Sequence, residues 1–132
     1  MILSALVLAA ASSTTVAVTA RFVPARRPGA PAAVEVRFAP ADPEVHVNRF
    51  PPPRLDLEPM QEILKAAPAP AARPTGATYL GSAEPYRFPV VAKAPSPGAE
   101  TVKGTVTYFY CSQREGWCRK GSADVQLAVK LH

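Results

Sequence analysis

At 132 residues, with 16 prolines and an apolar share drawn mostly from Ala and Val, the chain is sized for one domain around one modest core. That proline load, more than twice the usual share of roughly 5%, excludes long helices, and it excludes central strands at many points. The formal charge of +5 is spread along the sequence without the basic and aromatic clusters that a single-strand nucleic-acid binder needs, so no nucleic-acid partner is predicted.

The first eleven residues, Met1 to Ala11, form an apolar run that ends in Ala9-Ala10-Ala11. This matches the hydrophobic region and small-residue cleavage site of a secretory signal, although a positive leader is missing. The run is too short to span a bilayer, which takes about 20 residues. The expectation is a signal peptide over 1–11, a mature single domain over 12–132, a periplasmic or secreted location, and no stable membrane insertion after cleavage. Val18-Thr19-Ala20 is a second candidate cleavage site, but cutting there would destroy the strand that contains it.

Strict alternation then takes over. Val16, Val18, Ala20 and Phe22 share one face of a first strand, and Val34, Val36 and Phe38 share one face of a second. Glu35 and Arg37 point outward from that second strand. A Pro/Gly/Arg turn between the two predicts an antiparallel pair. Glu44 to Asn48 reads as a short strand with Val45 and Val47 inward, and Pro51 to Pro53 as extended backbone. Leu55 and Leu57 alternate around Asp56. Glu58 to Lys65 is the one helical candidate, from the spacing of Met60, Ile63 and Leu64 behind Pro59. Ala66 to Pro74 is an Ala/Pro loop. Strands follow at Thr78 to Leu80 and at Tyr86 to Val91, the latter with Tyr86, Phe88 and Val90 on one face, and a turn falls at Pro95 to Gly98. A final hairpin pairs Thr101–Cys111 with Ala123–Leu131. The sum is an all-β, immunoglobulin-like antiparallel sandwich of roughly seven strands with at most one short helix. A small barrel is the alternative.

The chemistry gathers in the last hairpin, which carries both cysteines and the single tryptophan. Val102, Val106, Tyr108 and Tyr110 alternate inward on one strand; Ala123, Val125, Leu127, Val129 and Leu131 do so on the other. Parity therefore puts Cys111 and Cys118 together on the outer face, provided that no bulge intervenes near Gly121. They are not a core-crossing staple between sheets. Closing so small a loop contributes roughly 2.5 kcal/mol in the chain-entropy account. Arg114, Arg119 and Lys120 lie close in sequence against one acid, Glu115. Nearby cations favour a thiolate, which makes Cys118 the better leaving group on charge grounds. Tyr110 and Trp117 adjoin the cysteines and are candidates for shielding them; for each taken singly, hairpin packing is the favoured reading. A working redox pair and a structural hairpin disulfide both remain open on the residues alone.

Two stretches resemble a known family. Tyr108-Phe109-Tyr110-Cys111, the Gly116-Trp117-Cys118 approach and the alternating end strand are similar to the N-terminal periplasmic domain of the thiol:disulfide interchange protein DsbD. Glu44-Val45-His46-Val47-Asn48, followed by Pro51 to Leu57, resembles a second segment of the same domains. The resemblance implies an immunoglobulin-like fold and a catalytic Cys111–Cys118 pair. It also implies a partner that is a thioredoxin-like or membrane thiol–disulfide oxidoreductase, and no cofactor. Cys111 and Cys118 are the residues that carry it over.

Other candidates are weak. His46 and His132 are the only histidines, and isolated histidines are ordinary surface residues, so no metal site is predicted. Asp42, Glu44, Asp56 and Glu58 fit turns and strand ends better than a carboxylate pair.

Overall fold

A computed structural model describes residues 16–27, 30–67, 78–81, 84–93 and 98–131. The candidate signal peptide, His132 and most of the Ala/Pro run lie outside these residues. Nine strands occur among them: β1 (Val16–Val23), β2 (Ala32–Pro40), β3 (Val45–Asn48), β4 (Arg54–Leu57), β5 (Leu64–Ala66), β6 (Tyr79–Leu80), β7 (Tyr86–Ala92), β8 (Gly98–Ser112) and β9 (Trp117–Leu131).

Two sheets form, and every strand pairing is antiparallel. The first has the order β1-β2-β7-β5. In the second, β9 lines one edge of β8, while β4 and then β3 share the other edge, with β6 outside β3. The all-β antiparallel sandwich expected from alternation is the architecture found. Its core joins Val34, Val36, Phe38, Leu64 and Val90 of the first sheet to Val47, Val102, Val106, Tyr108 and Leu127 of the second. Each such side chain contributes roughly 1.5–3 kcal/mol by leaving water. The predicted inward faces of β1, β2, β3 and β7 are the faces in register.

The helix expected over 58–65 does not form. Met60 is 81% exposed, and Leu64 pairs with Ala92 as part of β5. Gln61 is the cause. Its buried Oε1 accepts from the backbone N–H of Ile63 at 3.0 Å and of Leu64 at 2.9 Å, and its Nε2 donates to the Leu64 carbonyl. A side-chain amide thus takes up groups that a helical turn would have paired internally. A helix this short is marginal alone in any case. Nine strands, rather than about seven, result because β5 replaces the helix and the short β4 finds a partner in β8.

The β8–β9 hairpin dominates the second sheet. Its register is unbroken from Gly98↔Leu131 to Ser112↔Trp117, so the bulge allowed near Gly121 is absent. At a rise of about 3.3 Å per residue each arm is roughly 45–50 Å long. Gly121 has a packing role instead. A Cβ there would lie 2.6 Å from Cζ of the fully buried Tyr108, so the glycine opens the space that the ring fills.

Candidate functional site

The hairpin tip is built by a four-residue loop, 113–116. Gly116 adopts φ +72°, a left-handed conformation that suits glycine. Its N–H donates to the Ser112 carbonyl at 2.9 Å, and the Glu115 N–H donates to Ser112 Oγ at 3.2 Å. The Gln113 N–H donates to the Glu44 carbonyl at 3.1 Å, tying the loop to the start of β3.

Just inside this loop Cys111 and Cys118 stand directly opposite one another, Cα atoms 4.0 Å apart, joined by a disulfide. Alternation from the buried Val102, Val106, Tyr108 and Tyr110 places both sulfurs on the outer face of the second sheet. The two are unequal. Cys118 is exposed, whereas Cys111 retains 8% of its surface.

What covers Cys111 comes from β3. His46 lies in register with Cys111, so Cys118, Cys111 and His46 form a row across three strands. Asn48, two residues further along the same face, donates from Nδ2 to Cys111 Sγ at 3.4 Å. Its Oδ1 is enclosed and meets no donor among the described residues. The His46 ring stacks on Tyr79 of β6 at 4.8 Å. Among the described residues, no group of three or more His, Cys, Asp or Glu is placed to hold a metal.

The residues flanking the cysteines in sequence divide between the two faces. Tyr110, Trp117 and Arg119 are carried to the inner face, away from the sulfurs they adjoin in sequence. There Trp117 meets Tyr110 edge-on at 5.7 Å, and Tyr110 in turn approaches Tyr108 at 5.6 Å and Tyr108 approaches Phe38 at 5.2 Å. This aromatic run anchors the tip to the core. The Arg119 guanidinium sits 4.1 Å above the Trp117 ring, and Trp117 Nε1 donates to Glu115 at 2.6 Å. Of the cations that flank the cysteines in sequence, Lys120 shares the sulfurs' face, two residues along β9 and paired with Phe109. Arg114 turns toward Asp42, at 4.0 Å.

The four acids do not assemble. Asp42 accepts from the Glu44 N–H at 2.8 Å as a turn residue, and Asp56 pairs with Arg54 at 3.2 Å. Sequence reasoning assigned Asn48 no role at the sulfurs, although His46 and Asn48 read as one face by simple alternation. What was missing was the pairing of β3 with β8.

No protein-family model, no curated protein and no solved structure matches the chain. The chemistry of the site is therefore its own guide. It presents one exposed sulfur open to attack and one covered sulfur that already receives a hydrogen bond.

Proposed function

We propose that the Cys111–Cys118 disulfide is a thiol–disulfide exchange centre of an exported, periplasmic or secreted domain, and that its partner is a thioredoxin-like or membrane thiol–disulfide oxidoreductase. The observation that carries this reading is the inequality of the sulfurs, with Cys118 exposed and Cys111 covered and hydrogen-bonded by Asn48.

The partner's thiolate attacks Cys118 Sγ, the reachable sulfur. A new intermolecular S–S bond forms as the Cys111–Cys118 bond breaks, and Cys111 leaves as a thiolate that keeps the Asn48 N–H as donor. The partner's second thiol, deprotonated, then attacks the partner's own sulfur in the mixed disulfide and expels Cys118 as a thiolate. Two protons from water complete the dithiol. The domain gains two electrons, and the partner's dithiol becomes a disulfide. The same steps run in reverse against an oxidised partner.

Two further points support exchange. The bond spans a hairpin already paired along its whole length, so its loss leaves the fold's pairing intact. A disulfide also fits an oxidising compartment, in line with the DsbD-like stretches around both cysteines. Arg119 lies on the opposite face from the sulfurs, which leaves Lys120 alone of the two to favour Cys118 as a leaving group. The test is a redox equilibration against a dithiol buffer of known potential. A midpoint in the range of about −180 to −270 mV agrees with exchange, and one below about −300 mV marks a purely structural bond.

A further inference from the structure

Five of the ten arginines dispersed through the sequence are gathered by the fold on or beside the outer face of the first sheet. Arg21 of β1, Glu35 of β2 and Arg87 of β7 stand in one cross-strand row, and Arg37 is the next outward residue of β2. Arg21 Nη2 lies 3.0 Å and Arg37 Nη2 3.6 Å from Glu35 Oε1; Arg87 Nη2 lies 2.9 Å from Oε2. Glu35 is left 2% exposed, while the three arginine side chains remain 68%, 46% and 53% exposed.

One buried carboxylate thus orients three guanidiniums, each with five N–H donors in a fixed planar fork. Orientation before binding lowers the ordering cost of a ligand. The β1–β2 turn adds Arg26 and Arg27, both exposed and without an acidic partner among the described residues. Together with Arg87, Val23 and Ala33 they line a cleft of about 200 Å³. Five guanidiniums against one carboxylate leave these residues with a formal charge of +4, of +5 for the whole chain.

The face selects among anions. Its outward residues on β1, β2 and β7 include Ala17, Thr19, Ala33, Ala39 and Pro89 but no aromatic ring, so it offers no platform on which bases would stack. Arginine forks over a shallow cleft instead suit a tetrahedral oxyanion of more than one charge.

We propose that this face is a binding surface for phosphate groups, with the Arg26–Arg27–Arg87 cleft taking one phosphate and the Glu35-anchored arginines supporting its neighbour. A phospholipid headgroup and a free polyphosphate present the same chemistry.

The test uses the full chain and two probes, pyrophosphate in calorimetric titration and phosphatidylglycerol vesicles in co-sedimentation, with phosphatidylcholine vesicles as blank. Binding of either probe supports the site; pyrophosphate alone indicates a soluble ligand and vesicles alone a lipid. The decisive comparison is between two double variants that remove equal charge from opposite sheets. R26A/R27A touches no contact of Glu35 and is expected to weaken binding about tenfold or more, since two charge-assisted contacts are lost. K103A/K130A, on the outer face of the second sheet, is expected to change it less than about twofold at moderate salt. Equal losses in the two variants would reduce the effect to net charge and overturn the proposal. So would failure of both probes to bind the wild-type chain at low salt.

Discussion

Asn48 Nδ2 donates to Cys111 Sγ across the β3–β8 pairing at a distance of 3.4 Å. In the exchange reading that amide meets the sulfur on which charge appears when Cys118 is attacked. A hydrogen bond to a charged group contributes about 1.5–3 kcal/mol, so Asn48→Ala should slow reduction of the disulfide by a dithiol roughly tenfold or more. The ultraviolet thiolate absorbance of the reduced variant should appear at higher pH than in the wild type. Unchanged reduction kinetics would remove Asn48 from the mechanism and leave the redox midpoint to decide whether exchange occurs at all.

The unequal exposure of the sulfurs predicts a polarity. With Cys111→Ser, the remaining Cys118 should capture an activated thiol reagent at least on the order of tenfold faster than Cys111 does in Cys118→Ser, because access limits thiol reactivity. Both variants should remain folded. Loss of the cross-link costs roughly 2.5 kcal/mol, which for a domain of this size lowers Tm by about 10 °C. Equal labelling rates for the two thiols would contradict the geometry.

Gly121 and Tyr108 should be coupled. A Cβ at 121 would sit 2.6–2.9 Å from three atoms of the buried tyrosine side chain, and overpacking of this kind costs about 1–3 kcal/mol. Gly121→Ala is expected to lower the unfolding free energy measured by urea titration by that amount. Adding Tyr108→Leu should cost less than it does in the wild-type background, the mark of two residues sharing one volume. Additive losses would show that the ring accommodates the methyl elsewhere.

Acid sensitivity should trace in part to Glu35. Burial alone would raise its pKa, but the Arg21 hydrogen bond and the charges of Arg21, Arg87 and Arg37 outweigh it and hold the carboxyl below its ordinary value of 4.5. Glu84, hydrogen-bonded by Arg49 and the Gly81 amide, is lowered too. A carboxyl whose folded pKa is depressed contributes stability that is fully present above the unfolded value and is lost as pH falls through the folded one. The wild type should therefore lose stability below about pH 4.5. Glu35→Gln should be less stable at neutral pH and should lose less on acidification, with Glu84 supplying the remaining slope. Parallel urea midpoints for the two proteins across that window would rule Glu35 out as a source.

The alternating strands were legible because apolar residues recur every second position from Val16 to Phe22 and from Val34 to Phe38, and burial of one face enforces that period. The outward parity of both cysteines was legible for the same reason, since no bulge interrupts β8 or β9. Two kinds of information were not. The turn at 58–63 depends on one glutamine side chain that outcompetes a weak helix. The Arg21–Glu35–Arg87 row and the Asn48 contact depend on which strands become neighbours, and residues 14 to 63 positions apart carry no local sign of that. Glu35 is the sharpest case. Its outward direction was readable from the pattern, while its burial was not, because the atoms that cover it belong to three arginines.

The lone indole of the chain sits one residue before Cys118, yet on the other side of the sheet, held between Tyr110 and Arg119. It is thus the one indole fluorophore, one strand's thickness from a quenching sulfur–sulfur bond and on the face away from it. Opening that bond should brighten its emission, giving an optical signal of the bond's state without a dye, a tag or an altered residue.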